Sequence, residues 1–506
     1  MSYQLMFQKA VELQQQGALN EAESIYRQIL QTAPDNADVL NLLGLIAQTR
    51  GIHNEAVAYF YKALKSSPNH FPIYFNLAVS LGAMSKYVEA IEAYNKVLKL
   101  QPECKEAYFG LGNLYWQQNQ LEKAADCFKK ALIIDEEYIN AKTNLAEITN
   151  NIASLKQLAE KSAFASYYLA RRSFNEKDFA NAEQYLQKAN KQIVDDNIKS
   201  MLGETKLFLN KPQEALAYFY QAHKINPHNI SALINIADLE ADKQNFKDAE
   251  YFYKKTLEID NRNLRAHTNY ANMLSTENRI LEALEEYRQA VIINPDIPEI
   301  SYNLALILKT LHEYEQALDL MFHAFYMAPD RTSWSLNIAE TLILFNNQAP
   351  QKAIKIAENW YNKMPENIAA KHLWETLNHK ESKVANQYNR LLFDNFAPTY
   401  EQTLQNINYQ VINEITALYA PFKGKILDLG CGTGLLAQKI KSSDNEIDGI
   451  DISANMLEIA AAKNIYNKLI NTDLIEYLEQ KNSYDLIIAA DVFCYFGDLS
   501  ADRKSV

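Results

Sequence analysis

A period of 34 residues runs through most of the chain and limits what it can fold into. Alanine marks the period, with spacings of 34 in a first block and of 33, 34, 34, 34 and 36 in a second: Ala22, Ala56, Ala90 and Ala124, then Ala182, Ala215, Ala249, Ala283, Ala317 and Ala353. Proline stands twelve residues after seven of these alanines: Pro34, Pro68, Pro102, Pro227, Pro295, Pro329 and Pro365. Ten phased copies predict a stack of like units rather than one globular core.

The unit at residues 37–70 shows what each period contains. Two stripes of small and apolar residues follow the spacing of a helix face: Leu40, Leu43, Gly44 and Ala47, then Ala56, Phe60 and Ala63. Small residues let the two helices approach closely, and Phe60 fills the gap between them. Pro68 ends the second helix, because proline lacks the amide hydrogen that a helix interior needs. Each unit is therefore predicted to be a helix pair that needs its neighbours to bury its stripes.

This pattern resembles the tetratricopeptide repeat (TPR) family over residues 3–367. The resemblance implies a mainly α-helical fold, with an α-solenoid of about ten helix–turn–helix repeats. We place a first block at 3–138 and a second at 163–367.

Two segments depart from the regular repeat. Residues 139–162 begin like a first helix but lack its partner, so we interpret them as a degenerate half-repeat that bends or divides the array, or as a tolerated insertion. Residues 368–384 are expected to form a capping helix and a linker, in which Leu373, Trp374 and Leu377 cover the last repeat.

Asparagine recurs at the sixth position of six repeats: Asn76, Asn144, Asn235, Asn269, Asn303 and Asn337. This position lies opposite the buried face of the first helix. In TPR proteins that face lines a concave groove, and a primary amide both donates to and accepts from the main chain of an extended peptide. The series resembles the groove of O-linked N-acetylglucosamine transferase, which implies a protein or peptide partner. The alternative is that asparagine is simply frequent at this TPR position.

Glycine usage divides the chain. No glycine occurs between Gly203 and Gly424, and six of the 13 glycines lie in the last 83 residues. A helical array needs little glycine, whereas strand-to-helix turns around a ligand need several. We therefore expect a second fold to begin near residue 385 and to occupy residues 385–506.

The sequence KGKILDLGCGTG at 423–434 reads as a short apolar strand followed by a glycine-rich turn. Its third glycine comes two residues after the second, so it departs from the dinucleotide fingerprint. The form resembles the turn of class I S-adenosylmethionine (SAM)-dependent methyltransferases. The resemblance implies a Rossmann-like α/β domain whose first four strands lie in the order 3-2-1-4, and SAM as cofactor. It assigns cofactor-binding roles to Asp428, Gly430, Gly432 and Gly434.

Three further aspartates stand at the ends of the strands that follow. Asp451 lies 23 residues after Asp428, where an acidic residue accepts both ribose hydroxyls. The resemblance places Asp473 near the adenine amine and Asp491 beside the methyl group. Cys431 is expected to be a small packing residue rather than a nucleophile.

Residues 389–404, NRLLFDNFAPTYEQTL, resemble the opening of the methyltransferase domain in bacterial TPR-containing methyltransferases. Phe396 and Tyr400 either close over the cofactor or pack this helix against the sheet. No catalytic residue is identified, and no metal-ligand cluster is visible.

Charge and composition exclude several other classes. The net charge of -12 disfavours nucleic acid as a partner, and no NPPY-type motif of nucleic-acid N-methyltransferases follows the fourth strand. There is no secretory signal and no apolar run long enough for a membrane span. The four cysteines form no CxxC pair, which is typical of a reduced, cytoplasmic protein.

Residues 500–506 are polar and show no further strand pattern, so we expect the methyltransferase domain to be incomplete at its C-terminus and this chain to have little activity. Two functions remain open. One is a SAM-dependent methyltransferase that recruits a protein substrate through its repeats. The other is a TPR interaction scaffold with a vestigial methyltransferase remnant.

Overall fold

The structure is a computed structural model that describes residues 3–419, 422–479, 483–490 and 492. The chain divides into two compact units, Met1–Asp260 and Asn261–Val506. This boundary falls inside the repeats, so the last repeats belong to the same unit as the C-terminal sheet. Within the described ranges, every helix is too short or too polar to cross a lipid bilayer.

The first unit consists of helix pairs. Its described helices are α1 (Tyr3–Gln15), α2 (Leu19–Thr32), α3 (Ala37–Thr49), α4 (His53–Ser66), α5 (Phe71–Ala83), α6 (Tyr87–Leu100), α7 (Lys105–Gln117), α8 (Leu121–Ile134), α9 (Ile139–Ile148), α10 (Ile152–Leu158), α11 (Ala163–Asn175), α12 (Phe179–Gln192), α13 (Asp196–Phe208), α14 (Pro212–Ile225), α15 (Ile230–Asp242) and α16 (Phe246–Ile259). The alanines that mark the period are fully buried, as the stripe pattern predicts.

In three pairs of the first unit, close approach depends on glycine at the eighth repeat position: Gly44, Gly112 and Gly203. A Cβ atom on Gly112 would lie 2.5 Å from the ring of Phe128, and one on Gly203 would lie 2.6 Å from the ring of Phe219. Both rings are fully buried. The aromatic ring of the second helix therefore packs directly on the backbone of the first.

The turn inside each of these pairs uses one residue in the left-handed region. The residues are Gly17, Gly51, Ser85, Asn119, Asn150, Lys177, Asn210 and Gln244 in the first unit. This conformation ends a helix by turning its last amides back onto free carbonyls, and it favours glycine and asparagine. Five of the eight are glycine or asparagine, in line with this preference.

Residues 139–162 require a correction, because the second helix that the sequence was expected to lack is present. It is α10, only seven residues long, and it buries Leu155 against Ala146 and Leu169. The buried Glu147 of α9 forms ion pairs with Arg171 and Arg172 of α11 at 2.6 and 2.8 Å. The shortened pair is thus tied to the following repeat by charge as well as by apolar contact.

The second unit begins with three more helix pairs and a capping helix. These are α17 (Leu264–Thr276), α18 (Ile280–Ile293), α19 (Pro298–Thr310), α20 (Tyr314–Met327), α21 (Thr332–Gln348), α22 (Pro350–Lys363) and α23 (Ile368–Leu377). The spacing of 36 before Ala353 has a simple cause, since α21 has 17 residues where the other first helices of this unit have 13. Leu373 of α23 is buried in the core of the last repeat.

The remainder of the unit is an α/β fold. Its elements are α24 (Ala385–Phe396), a 3₁₀ turn (Ala397–Thr399), α25 (Tyr400–Asn406), α26 (Val411–Tyr419), β1 (Gly424–Leu429), α27 (Leu435–Ile440), β2 (Asn445–Asp451), α28 (Ala454–Ala462), β3 (Lys468–Asn471), α29 (Leu474–Leu478) and β4 (Leu486–Ala489). The described strands are parallel in the order β3-β2-β1-β4, as the resemblance implied. The predicted fold class, a helical repeat array followed by a Rossmann-like sheet, is confirmed.

Candidate cofactor site

A cavity of about 370 Å³ lies at the carboxyl ends of the parallel strands. Leu429 at the end of β1 pairs with Ile450 of β2 and with Ala489 of β4, so the loops that leave these strands meet at one edge. Ligands of open α/β sheets bind at this edge. The volume falls within the range of roughly 300–1,000 Å³ that small-molecule sites occupy.

The glycine turn forms one wall of this cavity. Gly430 and Gly432 line it and have φ angles of +65° and +52°, which other residues rarely adopt. A Cβ atom on Gly430 would also clash with Val492. Gly434, at φ +85°, lies outside the lining residues and begins α27, where Tyr466 packs against it. The turn therefore presents bare backbone to whatever occupies the cavity.

Asp451 joins the turn to the end of β2. Its Oδ2 accepts a hydrogen bond from the Gly432 amide at 2.8 Å, and its Oδ1 accepts one from the Ser453 amide at 2.8 Å. The side chain lines the cavity and is 8% exposed. Burial raises the pKa of Asp451, while the two amide hydrogen bonds act in the opposite direction. Each carboxylate oxygen keeps a second lone pair for a ligand hydroxyl.

Asp473 also lines the cavity, and it caps the following helix. Its Oδ1 accepts hydrogen bonds from the amides of Ile475 and Glu476 at 2.9 and 3.2 Å. The carboxylate is thus held in place by the start of α29 while it faces the cavity.

Asp428 is placed differently from Asp451 and Asp473. It is 2% exposed and does not line the cavity; instead its Oδ2 accepts a hydrogen bond from the Tyr466 hydroxyl at 2.8 Å. Burial raises the pKa of Asp428 to about 7. The residue supports the turn from behind through Tyr466, which packs on Gly434 and Gly449. Asp491, the remaining predicted residue, lies outside the described residues.

One face of α24 and α25 forms another wall of the cavity, which we call the roof. Its residues Asn386, Asn389, Phe393, Phe396 and Tyr400 recur every three or four positions along the helices. Phe396 and Tyr400 were singled out in the sequence, and they stand edge to face with ring centres 5.4 Å apart. Asn386, Asn389 and Phe393 were missed, although their helical spacing with Phe396 is a signal that the sequence contains.

The roof is fixed to α28 at two points. Oδ1 of Asp394 accepts a hydrogen bond from the Ser453 hydroxyl at 2.6 Å and one from the Asn455 amide at 3.2 Å. Glu401 forms an ion pair of 2.6 Å with Lys463. Ser453 follows Asp451 by two residues, so the same short segment holds the roof and a wall of the cavity.

The repeated asparagines of the first unit hydrogen-bond within the protein. Asn76 donates to Asn41 at 3.0 Å, Asn144 donates to Asn113 at 2.8 Å, and Asn235 donates to the carbonyl oxygen of Ser231 at 2.8 Å. Each amide thus has an internal acceptor for one of its hydrogens. This arrangement favours a packing role for at least part of the series.

The asparagines of the second unit lie on the first helices of its repeats and are half-buried. Asn303 lies near the buried hydroxyl of Tyr287 and lowers its pKa against the larger, opposite effect of burial. Asn337 donates to the carbonyl oxygen of Ser333 at 3.4 Å. Asn269 is the remaining member, on α17. A peptide-binding role for the six asparagines stays a prediction.

Comparisons with known protein families identify both parts of the chain. A methyltransferase domain model matches residues 427–506, and tetratricopeptide repeat models match residues 7–71, 75–139 and 209–273. The chain therefore contains tetratricopeptide repeats followed by a methyltransferase domain.

Two curated relatives are similar to part of the chain. The putative methyltransferase YqeM of Bacillus subtilis is 33% identical over 73 residues, which are 14% of this chain and 30% of that protein. Malonyl-[acyl-carrier protein] O-methyltransferase of Priestia megaterium is 33% identical over 121 residues, which are 22% of this chain and 44% of that protein. The chain thus spans less than half the length of these relatives.

Among solved structures, the TPR domain of P58(IPK) is 18% identical, and the match covers 68% of this chain and 97% of that one with a TM-score of 0.29. A likeness at this level carries no argument about function.

Proposed function

We propose that the C-terminal domain binds S-adenosylmethionine in the cavity at the strand ends and transfers its methyl group, and that the repeats bind the protein or peptide that carries or accompanies the acceptor. The observation that carries this proposal is the position of Gly430, Gly432 and Asp451 around one cavity at the carboxyl edge of the sheet. A turn of bare backbone beside a buried carboxylate suits a ligand with a zwitterionic end and a ribose.

The residues that line the cavity support this choice of cofactor. The backbone of Gly430 and Gly432 would approach the methionine part closely, since no side chain intervenes. Asp451 would accept the two ribose hydroxyls with the lone pairs that its amide hydrogen bonds leave free. Asp473, held as a helix cap, would lie near the adenine.

When bound, S-adenosylmethionine supplies an electrophilic methyl group, and the protein contributes position and exclusion of water. Phe393, Phe396 and Tyr400 of the roof would exclude water from the reacting atoms. In the part of the chain that the structure describes, the ionisable side chains lining the cavity are two aspartates and two tyrosines: Asp451, Asp473, Tyr400 and Tyr409. We assign none of them as a general base.

The repeats point to a macromolecular acceptor or partner. Tetratricopeptide repeats offer extended surfaces for protein binding. One relative is named for an acceptor that is attached to a protein, malonyl-[acyl-carrier protein]. An acceptor attached to a protein would fit the combination of repeats and methyltransferase domain in this chain.

Calorimetric titration of the full chain with S-adenosylmethionine tests the cofactor assignment, with Asp451→Ala as the site variant and Asp444→Ala as a matched control. Asp444 is exposed at the opposite end of β2. We expect saturable binding that Asp451→Ala weakens at least tenfold and that Asp444→Ala leaves unchanged. Absence of binding by the wild-type chain would favour the alternative, a repeat scaffold with a vestigial domain.

Methyl transfer is tested separately, with labelled S-adenosylmethionine and proteins captured by the repeats. We expect weak label on a captured protein or on a group attached to it, since the sequence predicts little activity for this chain. Cofactor binding without any labelled acceptor, in the presence of captured partners, would contradict the transfer step while leaving the cofactor site intact.

A further inference from the structure

Helix α24 packs on the core of the last repeat with one face and lines the cofactor cavity with the other. On one side, Tyr388 is buried in the core of the last repeat together with Trp360 and Leu373, and Leu391 and Leu392 pack against the same core. On the other side, the roof residues Asn386, Asn389 and Phe393 line the cavity. Positions 388, 391 and 392 lie on the helix face opposite 386, 389 and 393. A single helix of 12 residues therefore separates the repeat from the cofactor cavity.

The contact between α24 and the capping helix α23 is an aromatic stack. The rings of Tyr388 and His372 lie parallel, with centres 4.2 Å apart and planes 15° apart. Burial lowers the pKa of His372, so the imidazole is held neutral against the phenol ring. Such a contact fixes the distance between the two helices.

The segment that joins α23 to α24 is also fixed. The hydroxyl of Ser382 donates to Oε2 of the buried Glu375 at 3.0 Å and lies 2.8 Å from Nδ1 of His372. The amide of Lys383 donates to the same carboxylate oxygen at 3.0 Å. Residues 378–384 thus form a corner that is hydrogen-bonded to α23 rather than a free linker.

We propose that Tyr388 is a positioning residue for the cofactor cavity, which it shapes by holding the roof on the cap of the last repeat. The last repeat is then part of the cofactor site, and the two are thermodynamically linked. A ligand in the cavity then stabilises α23. Loosening the contact at Tyr388 lowers the affinity for that ligand by the same free energy, because coupling between two sites is reciprocal. Because S-adenosylmethionine is the probe, this proposal rests on the proposed function.

Amide hydrogen exchange of the wild-type chain, measured with and without S-adenosylmethionine, tests this linkage. We expect slower exchange in α24, which lines the cavity, and also in α23, which does not. Exchange in α18, farther along the repeats, should be unchanged. Protection that stops at α24 and leaves residues 368–377 unaffected would overturn the proposal without any variant.

A pair of substitutions in the same cap tests the residue itself. Tyr388→Ala removes the ring that faces His372, whereas Tyr361→Ala removes a ring that stacks on Trp374 of the same helix at 4.6 Å. We expect calorimetry to show that Tyr388→Ala weakens S-adenosylmethionine about fivefold or more. Tyr361→Ala and the conservative Tyr388→Phe should stay within about twofold of wild type.

The outcomes separate the two proposals. If the wild-type chain binds S-adenosylmethionine and Tyr388→Ala binds it as tightly as Tyr361→Ala does, the coupling is overturned and the cofactor site stands. If the wild-type chain shows no binding, the proposed function fails and the coupling fails with it.

Discussion

The Asp451 carboxylate accepts a hydrogen bond from the Gly432 amide at 2.8 Å, so a residue proposed to bind the cofactor also shapes the turn that faces it. The second oxygen is engaged in the same way by the Ser453 amide. Both oxygens of Asp451 are therefore required as acceptors before any ligand arrives.

This arrangement makes Asp451→Asn as harmful as Asp451→Ala. The asparagine amide group would have to direct its NH₂ at one of the two backbone N–H groups, which replaces an acceptor by a donor. Loss of a hydrogen bond to a charged group costs about 1.5–3 kcal/mol. We expect calorimetry to show S-adenosylmethionine binding weakened at least tenfold by either variant. A substantial recovery in Asp451→Asn would mean that charge at this position is dispensable.

The raised pKa of Asp428 predicts that the stability of the C-terminal domain depends on pH. Burial raises its pKa from 3.8 to about 7, so between these values the folded domain holds a proton that the unfolded chain has released. Stability then falls as pH rises through that window and is level above it. Asp428→Asn, which cannot ionise, should gain melting temperature relative to wild type as the pH rises from 4 to 7.

Calorimetric scans of the full chain test this, with the transition of the domain identified by its shift on adding S-adenosylmethionine. The sign is decisive, because most carboxylates contribute in the opposite direction. A difference in melting temperature between wild type and Asp428→Asn that stays constant across this range would show that Asp428 ionises normally in the folded domain.

The repeat prediction succeeded because its signal is local and redundant. Each period repeats the same small and aromatic positions, so Gly112 and Phe128 could be paired from spacing alone, and their contact follows from it. The strand order followed from the resemblance of the glycine turn to class I methyltransferases, whose fold implies it. Helix α10 was missed because seven residues around Leu155 are too few to show a period.

The cofactor cavity was predicted only in part, since one wall is made by contacts distant in the sequence. Asn386 and Asn389 precede the glycine turn in the sequence, and only their helical spacing with Phe396 connects them to the cavity. The position of Asp428 could not be predicted from the sequence either, because its hydrogen-bond partner Tyr466 comes 38 residues later. Strand alternation turns Asp428 away from the cavity, whereas Asp451 lies at a strand end that opens into it.

Gly112→Ala is expected to destabilise the first unit, since its new Cβ would lie 2.5 Å from the ring of Phe128 in a fully packed interface. Overpacking of this kind costs about 1–3 kcal/mol. Gly82→Ala is the matched control, because its Cβ would meet only a flexible Leu114 methyl group at 3.1 Å. Thermal unfolding should show a clear loss for the first variant and little change for the second. Equal melting temperatures would indicate that the helix pair can separate without cost.

Substitution of Asn303 tests whether the repeated asparagines serve packing or peptide binding. It lies near the buried hydroxyl of Tyr287, whose pKa it lowers, and that hydroxyl donates a hydrogen bond to Asn272. If packing explains the asparagine, Asn303→Ala should cost about 1 kcal/mol in wild type and much less in a Tyr287→Phe background, since the partner is then gone. A double-mutant cycle by denaturant unfolding measures this coupling. A coupling energy near zero, together with weaker capture of partner peptides by Asn303→Ala, would assign the residue to the groove instead.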